Sequence, residues 1–508
     1  MMKKSLVAVG VIVALGAVWT GSAWYTGKQL EKRINDAIAE ANSQIKAAAP
    51  DAGLTIGYEN YQRNVFSSQL QLVVKPDTSA KNSWLQKDQS VVFNETVDHG
   101  PFPFAQLKKF NLIPSMASVH TVLEKNATTQ ALFDMAKGKS FADIDTRVGY
   151  SGATSSDITL QPLDYVKDKV KITFSGGNFT ADADAKGDNV SLKGSADSGL
   201  VSTPNEYGQQ VQLTFNNFKT DGETSLSTFQ ERIGSQTLSL DKLAVAVEGK
   251  EMAVLDGLKI NGKSAPDADG KTLNGEINYT LNKLRMQNQD MGQGGLTLKV
   301  SKIDGAASHQ FSQMYNAKTQ ALMAQPGIEN DPELYQEKAL DALLSSLPVL
   351  LKGEPVVTIA PLSWKNDKGE SSLTLSLFLK QPVEQDLSTA IKSIDGKLTI
   401  PMPMATELMT QVAKIEGYQQ DEASKLASQQ VKGLAAMGQM FRLTTVTDDA
   451  ITTSLQYSGG TATLNGQQMA LEQLLGMFGL TAPANEPELD NDAMPEEAPQ
   501  PPLTPPAQ

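Results

Sequence analysis

The sequence predicts a mainly β (α+β) protein: an N-terminal transmembrane helix, then long curved antiparallel sheet with a few helical insertions. Three observations carry this. Residues 5–27 hold no charge. From Gly53 onward apolar residues recur with a period of two, as in half-buried strands. Between these runs lie Asn-Gly, Asp-Gly and Gly-Gly pairs, which favour the tight turns that join antiparallel neighbours.

The first element is the uncharged run itself, flanked by Lys3 and Lys4 and then by Lys28, Glu31, Lys32 and Arg33. A helix of this length spans a hydrocarbon core of about 30 Å. A cleaved signal peptide is the competing reading, with Gly21-Ser22-Ala23 as the cleavage site. The retained anchor is preferred, because Trp19, Trp24 and Tyr25 fit an interfacial belt. Lys3 and Lys4 then keep the N-terminus in the cytoplasm, and the C-terminal body lies in the periplasm as that of a single-pass inner-membrane protein. Residues 28–50 follow as a helical stalk, with Leu30, Ile34, Ile38, Ala41 and Ile45 at helical spacing and Pro50 at its end. Its apolar face is expected to pack on a partner copy rather than lie on lipid, since its polar face mixes both charge signs.

Residues 51–300 read as a β-rich region, from Leu54-x-Ile56-x-Tyr58 and Leu70-x-Leu72-x-Val74 through to Leu296-Thr297-Leu298-Lys299-Val300. Short helices are predicted at 104–113 and 128–135. Residues 301–480 read as α+β, with a helical pair at 309–323 and 332–347 and a longer helical region at 403–440 bent near Gly417. A last apolar helix is predicted at 471–478. Turns are expected at Asn261-Gly262, Asn274-Gly275, Asp304-Gly305, Asp395-Gly396 and Asn465-Gly466. The Leu408, Met409, Leu434, Met437 and Met440 stripe reads as adaptable core. Residues 481–508 hold eight prolines and six acidic residues with no Lys or Arg, a composition that predicts disorder.

A net charge of −13 and pI near 4.9 argue against nucleic acid as a partner. The absence of cysteine excludes disulfides, thiolate zinc sites and cysteine nucleophiles. His99, His120 and His309 stand apart and read as isolated imidazoles rather than metal ligands. Gly257 to Ser264 spells GxxxxGK[ST], but the alternating Leu258 and Ile260 place it in a hairpin, not between a strand and a helix. Asp182, Asp184 and Asp188 only partly match a calcium loop and read as solvated. No catalytic, cofactor-binding or metal residue is assigned.

Tyr61-Gln62-Arg63-Asn64-Val65-Phe66-Ser67-Ser68, with His99-Gly100-Pro101, resembles the YdgA/YihF-like family of inner-membrane-anchored periplasmic proteins, itself distantly AsmA-like. Asn64 stands where a glycine is expected. The resemblance covers nearly the whole chain and marks Tyr61, Arg63, Phe66, Ser68, His99, Gly100 and Pro101 as family-motif positions. It implies an inner-membrane protein with a periplasmic body, able to form a homodimer, and supplies no activity. Three functions follow in order: a non-enzymatic protein holding or conducting lipid along a curved sheet, a dimeric envelope scaffold, and a polysaccharide hydrolase.

Overall fold

The computed structural model describes residues 52–470 apart from 65, 66, 81, 82, 101, 324, 326, 327, 329, 330 and 384–386, together with 35, 38, 39, 41–43, 45, 46 and 473. The expected anchor, the start of the stalk, the helix at 471–478 apart from residue 473, and the Pro-rich tail lie outside the described residues. Among the described residues no helix is long and apolar enough to cross a membrane.

The body is one large antiparallel sheet with few helices. It opens with β1 (Leu54–Arg63), β2 (Ser67–Pro76), β3 (Val91–His99), β4 (Ala117–Leu123), β5 (Ala142–Val148), β6 (Thr154–Leu160), β7 (Leu163–Lys167), β8 (Val170–Phe174) and β9 (Gly177–Ala183). Helices α1 (Phe104–Lys108) and α2 (Gln130–Met135) interrupt this series. Six long strands follow: β10 (Asn189–Pro204), β11 (Gln210–Leu226), β12 (Arg232–Val247), β13 (Lys250–Pro266), β14 (Thr272–Met286) and β15 (Gln289–Asp304). After α3 (Gly305–Met323) and α4 (Pro332–Leu350) come β16 (Val356–Asn366), β17 (Gly369–Leu379) and β18 (Ile391–Pro401). Helices α5 (Met402–Ile415) and α6 (Gln420–Met440) then precede β19 (Thr445–Thr447), β20 (Ala450–Ser458), β21 (Thr461–Leu464) and β22 (Gln467–Ala470).

The register shows a meander in which nearly every strand pairs with the next in sequence. The β7–β8 hairpin prolongs the β6–β9 pair, and β8 and β9 lie end to end along β10. Hairpins close through two successive left-handed residues at Glu248-Gly249, Gln287-Asn288, Asp448-Asp449, Gly459-Gly460 and Asn465-Gly466. Of the expected turns, Asn465-Gly466 is one, and Asp304-Gly305 joins β15 to α3. Asn261-Gly262, Asn274-Gly275 and Asp395-Gly396 instead lie within strands, paired on both sides. Their dipeptides permit a turn, but apolar rows on either side hold the chain extended. The GxxxxGK[ST] run is likewise the middle of β13, paired to β12 and β14, so the hairpin turn expected there is corrected to continuous strand.

Two closed cores bracket the long strands. The N-terminal core gathers Ile56, Leu70, Leu72, Val74, Phe93, Val97, Val119 and Val148, and Ala41 and Ile45, both helical, pack into it. Of the stalk face expected to meet a partner copy, Ile38, Ala41 and Ile45 pack on the protein's own sheet instead. Asn42 finishes the job at the edge strand β1: its carboxamide accepts from Ile56 N at 2.7 Å and donates to Ile56 O at 2.9 Å. Blunting a free edge in this way removes a template for strand addition. Asn42→Ala should cost about 1–2 kcal/mol locally, measured as faster hydrogen exchange at the Ile56 amide. The C-terminal core joins Tyr457, Ala462 and Leu464 with Ile394, Leu443 and Leu455.

Helix α5 buries Met404, Thr410 and Ala413, and α6 buries Ala423, Ala427, Val431 and Ala435. Leu434, Met437 and Met440 face solvent, which corrects the core reading at those three positions, whereas Leu408 and Met409 are half-buried.

Candidate functional site

The motif positions come together at one end of the first three strands. Arg63 pairs with Ser68 across β1 and β2, and Ser68 Oγ lies 3.0 Å from His99 Nε2 on β3. Ser68 is fully buried, so its hydroxyl is closed to a substrate and ties strand ends together. Arg63 is exposed, and among the described residues its guanidinium makes no hydrogen bond or ion pair. Tyr61 packs on the N-terminal core with its buried hydroxyl unpartnered among the described residues, as is the hydroxyl of buried Ser115. At Gly100 a Cβ would meet Ser115 O at 2.1 Å, because the Gly100 N–H donates to Met116 O at 2.7 Å. Phe66 and Pro101 lie outside the described residues. Asn64, standing where a glycine was expected, closes the β1–β2 link by donating its N–H to Ser67 O.

Sequence reasoning missed Glu95. It follows Val91 and Phe93 and precedes Val97 on the inward face of β3, between Leu70 and Thr121. Burial pushes its carboxyl up to about 8, against a hydrogen bond from Thr121 Oγ1 at 2.5 Å. The signal was present in the period-two pattern, which places a carboxylate in an apolar row.

The histidines are not isolated in space. His120 Nδ1 is 2.9 Å from Asp145 and 3.5 Å from Asp143 on the solvent face of β4 and β5, and His309 meets Glu231 at 3.2 Å. His120, Asp143 and Asp145 could share a cation by geometry, but Lys109 Nζ already stands 2.7 Å from Asp145. Burial raises the Asp145 pKa, and bonds from Lys109 and His120 outweigh that and leave it lowered. At the β9–β10 turn, Asp184 accepts from the N–H groups of Lys186, Asp188 and Asn189. The Asn189 side chain, foremost, holds its carboxyl below the usual range. These oxygens are committed to the turn, as the solvated-loop reading requires.

An extended apolar surface lies elsewhere on the sheet. Two rows of apolar side chains run side by side across the long strands: Phe218, Leu240, Leu258 and Leu281, and Phe215, Leu243, Leu255 and Leu284. Within each strand the rows are three residues apart, a spacing that regular pleating would send to opposite faces. Left-handed residues intervene at Asn217 (φ 50°) and Gly257 (φ 64°). Such a residue reverses the pleat and returns the next apolar side chain to the same face. In the neighbouring pair of strands, Phe174 and Phe179 flank Gly176 (φ 85°) and pack in one cluster with Ile158 and Leu160. At Gly257 a Cβ would lie 2.1 Å from the Asn282 side chain, so the seam needs glycine there for space as well as for φ.

Beyond the seam the apolar face continues through Leu238, Ile260, Ile277, Tyr279, Leu296 and Leu298 to Ile359, Leu375 and Leu377. The opposite face is charged, with cross-strand pairs Lys193–Asp221 at 3.0 Å and Lys299–Glu276 at 3.2 Å. None of the apolar residues just named on β11 to β17 is buried, and Ile277 is 39 % exposed. Helix α5 packs against β15 to β18, at the far side of this stretch of sheet.

The family described as "Bacterial protein of unknown function (DUF945)" matches residues 2–472. The chain is 60% identical to "Protein YdgA" of Escherichia coli (strain K12), over 95% of this chain and 98% of that one. It is 30% identical to "Uncharacterized protein YihF" of the same organism, over 94% and 99%. An "Uncharacterized protein" of Haemophilus influenzae is 25% identical over 61% of this chain and 85% of its own. No solved structure matches. With a family match across nearly its whole length, the chain belongs to the DUF945 family of bacterial proteins, the group that holds YdgA and YihF.

Proposed function

We propose that the protein is anchored in the inner membrane through residues 5–27, and that its periplasmic sheet holds or conducts phospholipid acyl chains along its apolar face without catalysing a reaction. The observation that supports this reading is the apolar surface running across β11 to β17, left half-exposed and backed by a charged face. A continuous apolar surface between two closed cores is the physical requirement for an acyl-chain path. The uncharged N-terminal run supplies the proximity to lipid. A photoreactive phenylalanine analogue in place of Tyr279 should cross-link phospholipid in cells, whereas the same group in place of Thr280, on the opposite face, should not. Equal labelling at both positions would reject the reading.

A second reading, the dimeric envelope scaffold, draws on Leu334, Leu340, Leu343 and Leu344, which α4 leaves exposed. It predicts a lipid-free homodimer that Leu340→Glu converts to monomer in sedimentation.

A further inference from the structure

The segment from Phe102 to Ile113 is built inside out. Its polar side chains point inward: buried Gln106 donates to Ser118 Oγ at 3.0 Å, Asn111 Nδ2 donates to Gln106 Oε1 at 2.9 Å, and Asp98 accepts from Ala105 N at 2.9 Å. Lys109 fastens the segment to Asp145. The apolar side chains point outward, with Phe110 91 % exposed, Leu112 70 % and Ile113 60 %, beside exposed Phe102 and Leu107. A loop pinned by buried hydrogen bonds holds these side chains in water at a cost that only an apolar partner offsets.

The direction of the helical residues 35–46 says which partner. Asn42 bonds Ile56 and Lys46 meets Asp77, which is bonded to Gly53 at the other end of β1. The helical residues therefore run antiparallel to β1, with their N-terminal side toward the end of the sheet where Arg63, His99 and the 102–113 segment lie. Upstream in sequence, beyond the charged residues 28–33, lies the uncharged run of residues 5–27.

We propose that Phe102–Ile113 is a second membrane contact, inserting Phe110, Leu112 and Ile113 into the phospholipid leaflet facing the body and so fixing the sheet's orientation on the bilayer. The assignment of the partner as lipid rests on the anchor reading of residues 5–27. Aromatic and aliphatic side chains beside a free lysine, Lys108, match an interfacial insertion.

Because the chain has no cysteine, Phe110→Cys and Tyr207→Cys each give a single labelling position, the second in the exposed β10–β11 turn. Full-length protein carrying bimane at either position would be reconstituted in phosphatidylethanolamine and phosphatidylglycerol vesicles. Doxyl-labelled lipid should quench position 110 about threefold more than position 207, and iodide should do the reverse, as insertion to the acyl boundary requires. Equal quenching at both positions overturns the proposal. Shielding of position 110 from iodide without quenching by lipid also overturns it, in favour of a protein partner or a second copy. Extraction of the same vesicles with alkaline carbonate separates the two claims. Release of the chain with lipid quenching at position 110 upholds the loop contact and rejects the anchor. Retention without that quenching rejects the loop contact alone.

Discussion

Leu258→Gln with Leu281→Gln is expected to strip phospholipid from the purified protein by about tenfold or more, given about 0.8 kcal/mol for each acyl methylene returned to water. The two leucines stand side by side on β13 and β14 at the seam, where both apolar rows converge. Neither is buried, so the sheet should keep its fold at a cost of about 1 kcal/mol for each replacement. Lys259→Gln, one residue along on the charged face, is the control and should retain lipid. Quantitative lipid extraction from the three proteins, with circular dichroism to verify folding, reads the result. Equal retention by the double variant and the control would mean that the apolar rows do not hold lipid.

Glu95→Gln should stabilise the N-terminal core at neutral pH and above, by on the order of 3 kcal/mol at pH 7. The carboxyl holds its proton in the folded state up to about 8, whereas in the unfolded chain it ionises from near its ordinary 4.5. The folded protein therefore binds more protons across that window, and its stability falls as pH rises from about 4.5 to about 8, then levels. Glutamine keeps an acceptor for the Thr121 hydroxyl and removes the ionisation. The wild type and the variant should melt together near pH 4.5 and diverge toward pH 8. Parallel melting curves across that range would show that Glu95 is not held neutral.

The strand content was legible because most strands alternate cleanly, and the helices at 305–323, 332–350, 402–415 and 420–440 lie close to where periodicity put them. What alternation could not show was the seam. Read along one strand, the step from Leu240 to Leu243 or from Leu281 to Leu284 is a lapse in the pattern. Only the register across β11 to β14 lines these lapses up beside Asn217 and Gly257 and turns them into one surface. Turn chemistry misled for a related reason, since Asn-Gly in β13 and β14 sits between paired neighbours that hold it extended. At the motif, the family resemblance marked Ser68 and His99 but did not say that they touch, because their contact joins β2 to β3 across 31 positions of sequence. Exposed Leu434, Met437 and Met440 of α6 were misjudged because helical spacing identifies an apolar face without saying what covers it.

The central claim, that the apolar face of the sheet carries lipid, is tested most directly by native mass spectrometry of the full chain released gently from membranes, with lipid extraction of the same sample. The account predicts phospholipid bound in a fixed ratio to the chain, and its disappearance when Leu258 and Leu281 are replaced. A lipid-free protein from the same preparation would contradict it, and a lipid-free dimer would put the scaffold reading in its place.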